Sequence, residues 1–143
     1  HKYLGDLFFT NEKFEQAEEE YNVVKQMREI LGLETTERYV SVLSNLGRCL
    51  IMNRQTNKAI EILEIARDLT EKLPESEKAK RCTAKVYVSL AIAHNSKGEN
   101  SDAVKYANKA MTLRKYQHFE DVKRMKKVLS MKSDKWTCSN VFK

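Results

Sequence analysis

A pattern that returns every 42 to 44 residues limits what this chain can fold into more than any other feature. Leu4-Gly5, Leu46-Gly47 and Leu90-Ala91 each open the same phrase. Phe8, Leu50 and His94 stand three residues after the small one, and Ala17, Ala59 and Ala103 stand twelve after it. Gly5 to Gly47 and Ala17 to Ala59 are both 42 residues; Gly47 to Ala91 and Ala59 to Ala103 are both 44. A shared period of this length marks stacked helical hairpins. One hairpin cannot bury its apolar face alone and does so against its neighbours. Arrays of this kind serve chiefly as surfaces that hold other molecules.

The local pattern agrees. Leu43, Leu46, Gly47 and Leu50 fall at i, i+3, i+4 and i+7, one face of a helix. Ile60, Leu63 and Ala66, with Ile62 and Leu69, mark a second helix, and Asn53-Arg54-Gln55-Thr56-Asn57 between them is polar turn material with Thr56 as a candidate N-cap. Gly47, Ala59 and Ala66 are small because crossing helix axes must approach to roughly 8–10 Å. No stretch alternates as a strand does. Helices are expected near 1–10, 12–31, 35–52, 56–73, 76–97, 100–116 and 118–133, with Gly32 and Gly98 at C-terminal caps. The expected fold is all-α: a right-handed solenoid of three hairpins (about 1–31, 35–74 and 76–116), a capping helix over 117–136 and a poorly structured tail at 137–143.

Three phrases carry a family likeness: LGDLFFTNEKFEQAEEEY, LGRCLIMNRQTNKAIEIL and LAIAHNSKGENSDAVKYA. They resemble tetratricopeptide repeats, whose pattern runs Leu-Gly or Leu-Ala, an aromatic, a turn, an alanine, a large residue and a further small one, often before a proline. Tyr21 then Val24, Leu63 then Ala66, and Ala107 then Ala110 fill the later slots, and Pro74 ends the second unit. His94 replaces the usual aromatic, and Val24 the usual small residue. The usual repeat is shorter; the long period is similar to that of kinesin light chains and related scaffold and innate-immune proteins. The resemblance implies a non-catalytic scaffold or adaptor module that holds a protein or peptide partner, in the cytoplasm, with no cofactor.

Charged residues make up 32% of the 143, and no run of 18 apolar residues occurs, so nothing reads as a membrane span. The chain opens on His1-Lys2-Tyr3-Leu4 inside a helix pattern, with no methionine and no signal peptide, and reads as a segment of a longer protein. Cys49, Cys82 and Cys138 are odd in number and far apart, without a C-x-x-C, which fits reduced thiols better than a disulfide or a metal site. No phosphate-binding, dinucleotide, zinc-protease or nucleophile-elbow motif is present. His94, the one histidine inside a core pattern, reads as an aromatic-sized filler. The run Glu18-Glu19-Glu20 reads as a solvated helix face. No catalytic residue, metal ligand or small-molecule substrate is expected.

The first helix of each hairpin should line the inner groove. In the second unit the residues off the core stripe are Ser41, Ser44, Asn45, Arg48 and Met52; their counterparts are Lys2, Tyr3, Asp6, Phe9 and Thr10 in the first, and Lys85, Val88, Ser89, Ile92 and Ser96 in the third. Asn45 can both donate to and accept from a peptide backbone, while Phe9, Met52 and Ile92 can supply apolar contact. Repeat proteins that capture the acidic C-termini of heat-shock chaperones resemble one another in a clamp of Lys, Asn, Asn, Lys and Arg. Lys2, Asn45 and Lys85 match it, but Asp6 and Ser89 do not. Asp6 would set one carboxylate against another, which argues against that clamp.

Charge is uneven. Residues 114–143 carry nine of the 26 cations and three of the 20 anions, so the whole net charge of +6 resides there. Phe119, Val122, Met125 and Leu129 recur there at helical spacing beside Lys123, Arg124, Lys126 and Lys127. This reads first as a capping helix with a charged outer face. Its alternative is a basic surface at 114–136 for an acidic partner, RNA or anionic membrane, with Trp136 as an anchor. A further alternative is an intramolecular regulatory role within a larger protein.

Overall fold

The computed structural model describes residues 14–31 and 36–142, with side chains through residue 130 apart from Phe14 and Ala17. The order is α1 (Phe14–Leu31), α2 (Glu37–Met52), α3 (Thr56–Thr70), α4 (Glu77–Ser96), α5 (Asn100–Met111), a 3-10 turn (Arg114–Tyr116) and α6 (Phe119–Phe142). No strand occurs among the described residues. The helix expected near 1–10 and the cap expected at Gly32 lie outside the described residues.

The chain starts its helices by side-chain capping where a first helix of a hairpin begins. Thr36 is extended, and its hydroxyl accepts the Tyr39 N–H at 3.2 Å. Ser76 does the same for the Ala79 N–H at 3.0 Å. Each satisfies one of the helix's orphan donors. Glu37 and Glu77 follow, acids placed at the positive end of the dipole.

Within each described hairpin a different device joins the helices. Arg54 N–H reaches Ile51 O at 3.0 Å and Gln55 N–H reaches Leu50 O at 2.8 Å. Gly98 N–H reaches Asn95 O at 3.0 Å and Glu99 N–H reaches His94 O at 2.9 Å. The paired bonds are those of a Schellman motif, and its left-handed residue is Arg54 (φ 64°) in one turn and Gly98 (φ 77°) in the other. Gly98 is therefore the expected cap. Thr56 is not: Gln55 holds the N-cap position without a side-chain bond, and Thr56 is the first helical residue. The Schellman turn fixes Gln55 through its backbone N–H, so the next helix begins one residue before the hydroxyl.

Two further ends differ from expectation. The α5 helix stops at Met111, and the extended Gln117 separates the 3-10 turn from α6. The α6 helix then runs to Phe142, through the segment expected to be a poorly structured tail. No glycine or proline interrupts residues 119–142, so the backbone carries no breaker there.

Each helix packs on the next, and α2 also packs on α4. Leu43, Leu50, Leu63, Leu90, Val86, Val88 and Met125 are fully buried in one continuous core. Ala59, Ala66, Ala91, Ala103 and Ala107 sit in it as well, where side-chain bulk would hold the helices apart. The closest approach is at Gly47: a Cβ there would lie 2.6 Å from both Cγ and Cδ2 of Leu63. Polar ties cross the layers. Arg67 Nη1 donates to the Tyr106 hydroxyl at 2.8 Å, and that hydroxyl donates to Glu64 at 3.2 Å, joining α3 to α5. Burial, then the Glu64 carboxylate, pushes the Tyr106 phenol up.

Candidate functional site

The N-terminal halves of α2 and α4 and the approach to α6 enclose a recess of about 600 Å³, within the usual range of ligand pockets. Thr36, Glu37, Arg38 and Ser41 come from α2 and its cap; Lys78, Arg81, Cys82 and Lys85 from α4; Tyr116, Gln117, His118 and Asp121 from the last turn and the start of α6. The helices put them together for a simple reason. Lys78, Arg81 and Lys85 are spaced i, i+3, i+7, one face of α4, and Ser41 lies one turn beyond Glu37 and Arg38 on α2.

Four basic side chains face two acidic ones in this lining. Arg81 pairs with Glu77 one turn earlier at 2.9 Å, an exposed pair that holds little energy. Asp121 is already engaged. Its Oδ2 accepts from Arg48 Nη2 at 3.3 Å and its Oδ1 from Arg124 Nη1 at 3.0 Å, and its side chain is 9% exposed. Arg48 Nε donates to Ser89 Oγ at 3.0 Å, and Ser89 Oγ lies 3.2 Å from Ser44 Oγ and donates to Lys85 O at 2.9 Å. A polar chain thus runs from α2 through α4 to α6.

The residues expected to line the groove meet different fates. Ser41 and Lys85 line the recess. Asn45 is half-buried. Arg48 is half-buried and turned into the chain just described, so it is a structural tie as well as a surface residue. Ser89 is fully buried beneath Arg48 and presents no open surface; serine is small enough to bond its own helix and vanish between two others. Ile92 packs half-buried against the core, and Met52 is exposed at the far end of α2. Lys2, Asp6 and Phe9 lie outside the described residues. Lys123, Arg124, Lys126 and Lys127 are exposed on α6. Lys123 sits 5.5 Å above the Phe119 ring, and Arg124 bonds Asp121. Arg38, Lys78, Arg81 and His118 were not among the expected site residues, although the i, i+3, i+7 spacing of Lys78, Arg81 and Lys85 is a legible basic stripe.

His94 fills the core slot that its position in the repeat assigned to it. Its ring stacks on Tyr106 at 5.6 Å, and Nδ1 lies 2.8 Å from Glu99 Oε1 and 3.9 Å from Asp102 Oδ2. These three form a cluster that could in principle ligate a cation. Lys97 Nζ, 3.4 Å from Glu99 Oε2, already supplies positive charge there. The bond from His94, with Lys97 behind it, holds the Glu99 carboxyl below the usual range. The cluster clasps the turn between α4 and α5. Cys49 is buried and Cys82 Sγ donates to Glu37 O at 3.5 Å; neither is in a disulfide.

Helical hairpins joined by matching turns, stacked into one core and carrying a recess along their first helices, define a helical-repeat solenoid. Comparison with known families agrees: residues 38–115, more than half of the chain, match the tetratricopeptide repeat. The chain belongs to the tetratricopeptide repeat family. That family generally mediates protein–protein interaction and is typically non-enzymatic. No curated protein matches the sequence. No helix among the described residues is long and apolar enough to cross a membrane.

Proposed function

We propose that this chain is a non-catalytic interaction module whose recess between α2, α4 and the start of α6 receives a segment of a protein partner. One observation carries the reading. The repeat array leaves an open recess of about 600 Å³ along its first helices, lined by side chains that can donate and accept hydrogen bonds. Ser41, Asn45 and Lys85 would contact the partner, and Ile92 and Met52 would extend the contact along the same helices. Arg48 would act through its hold on Asp121.

Cys82 gives a direct test, since it lines the recess while Cys49 is buried. In a Cys138→Ser background, a bound partner segment should slow alkylation of Cys82 and leave the circular dichroism spectrum unchanged. A partner that binds with full occupancy and leaves the alkylation rate untouched would place the working surface elsewhere, with the exposed Lys123, Arg124, Lys126 and Lys127 of α6 the next surface to examine.

A further inference from the structure

We propose that the outward side of α6 is a docking surface for an anionic membrane, on which Phe119 enters the headgroup layer and Lys123, Lys126 and Lys127 face acidic phospholipids. None of these four residues lines the recess, so lipid contact and recess occupancy draw on different side chains.

The helix has two sides of opposite character. Asp121, Met125 and Val128, spaced i, i+4 and i+7, are buried against the repeats. Phe119, Lys123, Lys126 and Lys127, spaced i, i+4, i+7 and i+8, share the other side and are all exposed. Phe119 is 74% exposed and stands outside the core cluster, so its ring does no packing there. Its nearest cation is Lys123, whose Nζ lies 5.5 Å from the ring centroid.

The chain does not neutralise the charge on this side. Among the described residues, Arg114, Lys115, Lys123, Lys126 and Lys127 make no ion pair; Arg124 is held by Asp121 at 3.0 Å. Glu120 is the one exposed acid over residues 114–130. Clustered cations are drawn to an anionic leaflet, and each strengthens adsorption about fivefold when it lies within a Debye length of the surface. The flexible lysine stem lets Lys123 leave the ring and keep its ammonium among the headgroups as Phe119 enters the interface.

Other polyanions fit this side less well. Single-stranded nucleic acid is held in grooves that follow its backbone and offer open aromatic faces to the bases. Here the surface is the convex flank of one helix, and its one ring carries Lys123. Protein interfaces are depleted of lysine at their buried centre, whereas Lys123, Lys126 and Lys127 make up the middle of this stripe. A bilayer surface leaves the ammonium groups hydrated and accepts a single aromatic side chain.

The test is co-sedimentation of the 143-residue chain with vesicles. One set is phosphatidylcholine alone, and the other contains roughly one third phosphatidylserine. Wild type should bind the anionic set, bind more weakly as salt is raised, and leave the neutral set in the supernatant. Lys123→Ala/Lys126→Ala/Lys127→Ala should lose affinity on the order of a hundredfold, and Phe119→Ala about tenfold, with unchanged circular dichroism. Lys78→Ala/Arg81→Ala, in the recess, should bind nearly as wild type. No binding to the anionic vesicles, equal binding to both sets, or a lysine variant that binds as wild type overturns the proposal. A Phe119→Ala variant with full affinity overturns it too, since the ring then takes no part. A single-stranded RNA that binds more tightly than the anionic vesicles at the same salt, and is lost in the lysine variant, assigns the surface to nucleic acid instead.

Discussion

Replacing Gly47 with alanine tests the packing that the repeat period demands. In an ordinary helix the change would stabilise by about 1 kcal/mol, because alanine loses less backbone freedom. Here the new methyl would stand 2.6 Å from Cγ and Cδ2 of Leu63 and 3.0 Å from Cδ1. The clash includes the branch point, so rotating the end of Leu63 does not remove it. Leu63 is itself fully buried, and α2 and α3 would have to separate. Overpacking of this kind costs about 1–3 kcal/mol. The clash reaches the branch point of a fully buried side chain, so the steric loss should outweigh the propensity gain, for a net destabilisation of up to about 2 kcal/mol from the two terms. Urea unfolding followed by far-ultraviolet circular dichroism would measure it. Leu63→Ala alone should cost about 2–5 kcal/mol by leaving a cavity. With Gly47→Ala already present the added cost should shrink, since the methyl then fills part of that space. A neutral or stabilising Gly47→Ala, with strictly additive effects in the double variant, would refute the close crossing.

Ala59→Leu and Ala103→Leu should each destabilise by about 1–3 kcal/mol in the same assay, because both alanines sit in closed helix contacts at 0% and 1% exposure. Arg48→Ala should lower stability by about 1–2 kcal/mol; Arg124 still neutralises Asp121, so the loss stays below that of an abandoned buried charge, and Arg48→Ala/Arg124→Ala should cost more than the sum. Burial, with Tyr21 beside it, pushes the Tyr39 phenol up to about 12 from its ordinary 10.0. The folded state thus favours the neutral ring: that stability is present below pH 10 and is lost as pH rises through 10 toward 12, so alkaline melting should be steeper in wild type than in Tyr39→Phe.

Fold was legible where one residue type answers one physical need. Small residues at Gly47, Ala59 and Ala103 report a helix crossing wherever they recur at a fixed period, and all three are buried at one. Turn chemistry was half legible. Gly98 announces a left-handed cap, but Arg54 adopts the same conformation with no sequence mark, and Thr56 looked like a cap until the turn fixed Gln55 instead. The site was least legible, because its lining is assembled from three helices. Helical period could place Ser89 and Arg48 off the core stripe of their own helices. It could not say that α6 would bring Asp121 against Arg48, 73 residues away, and that Ser89 would be sealed beneath them. Nor does hydrophobic periodicity weigh a basic stripe such as Lys78, Arg81 and Lys85, whose meaning depends on what faces it.

The two Schellman turns have a consequence for how such a chain can change length. Arg54 and Gly98 stand 44 residues apart, the same interval that separates Ala59 from Ala103, and the carbonyls they engage are shifted by that interval as well. Residues 54–97 are therefore one complete structural word, bounded at both ends by the same backbone geometry. Duplicating that word in tandem would present each copy with a turn it already knows how to make. The same junction would serve for excision. Genetic recombination at these turns could add or remove a hairpin without inventing a new connection. The binding face would grow or shorten by whole units, while Arg54 and Gly98 show that the junction accepts different side chains.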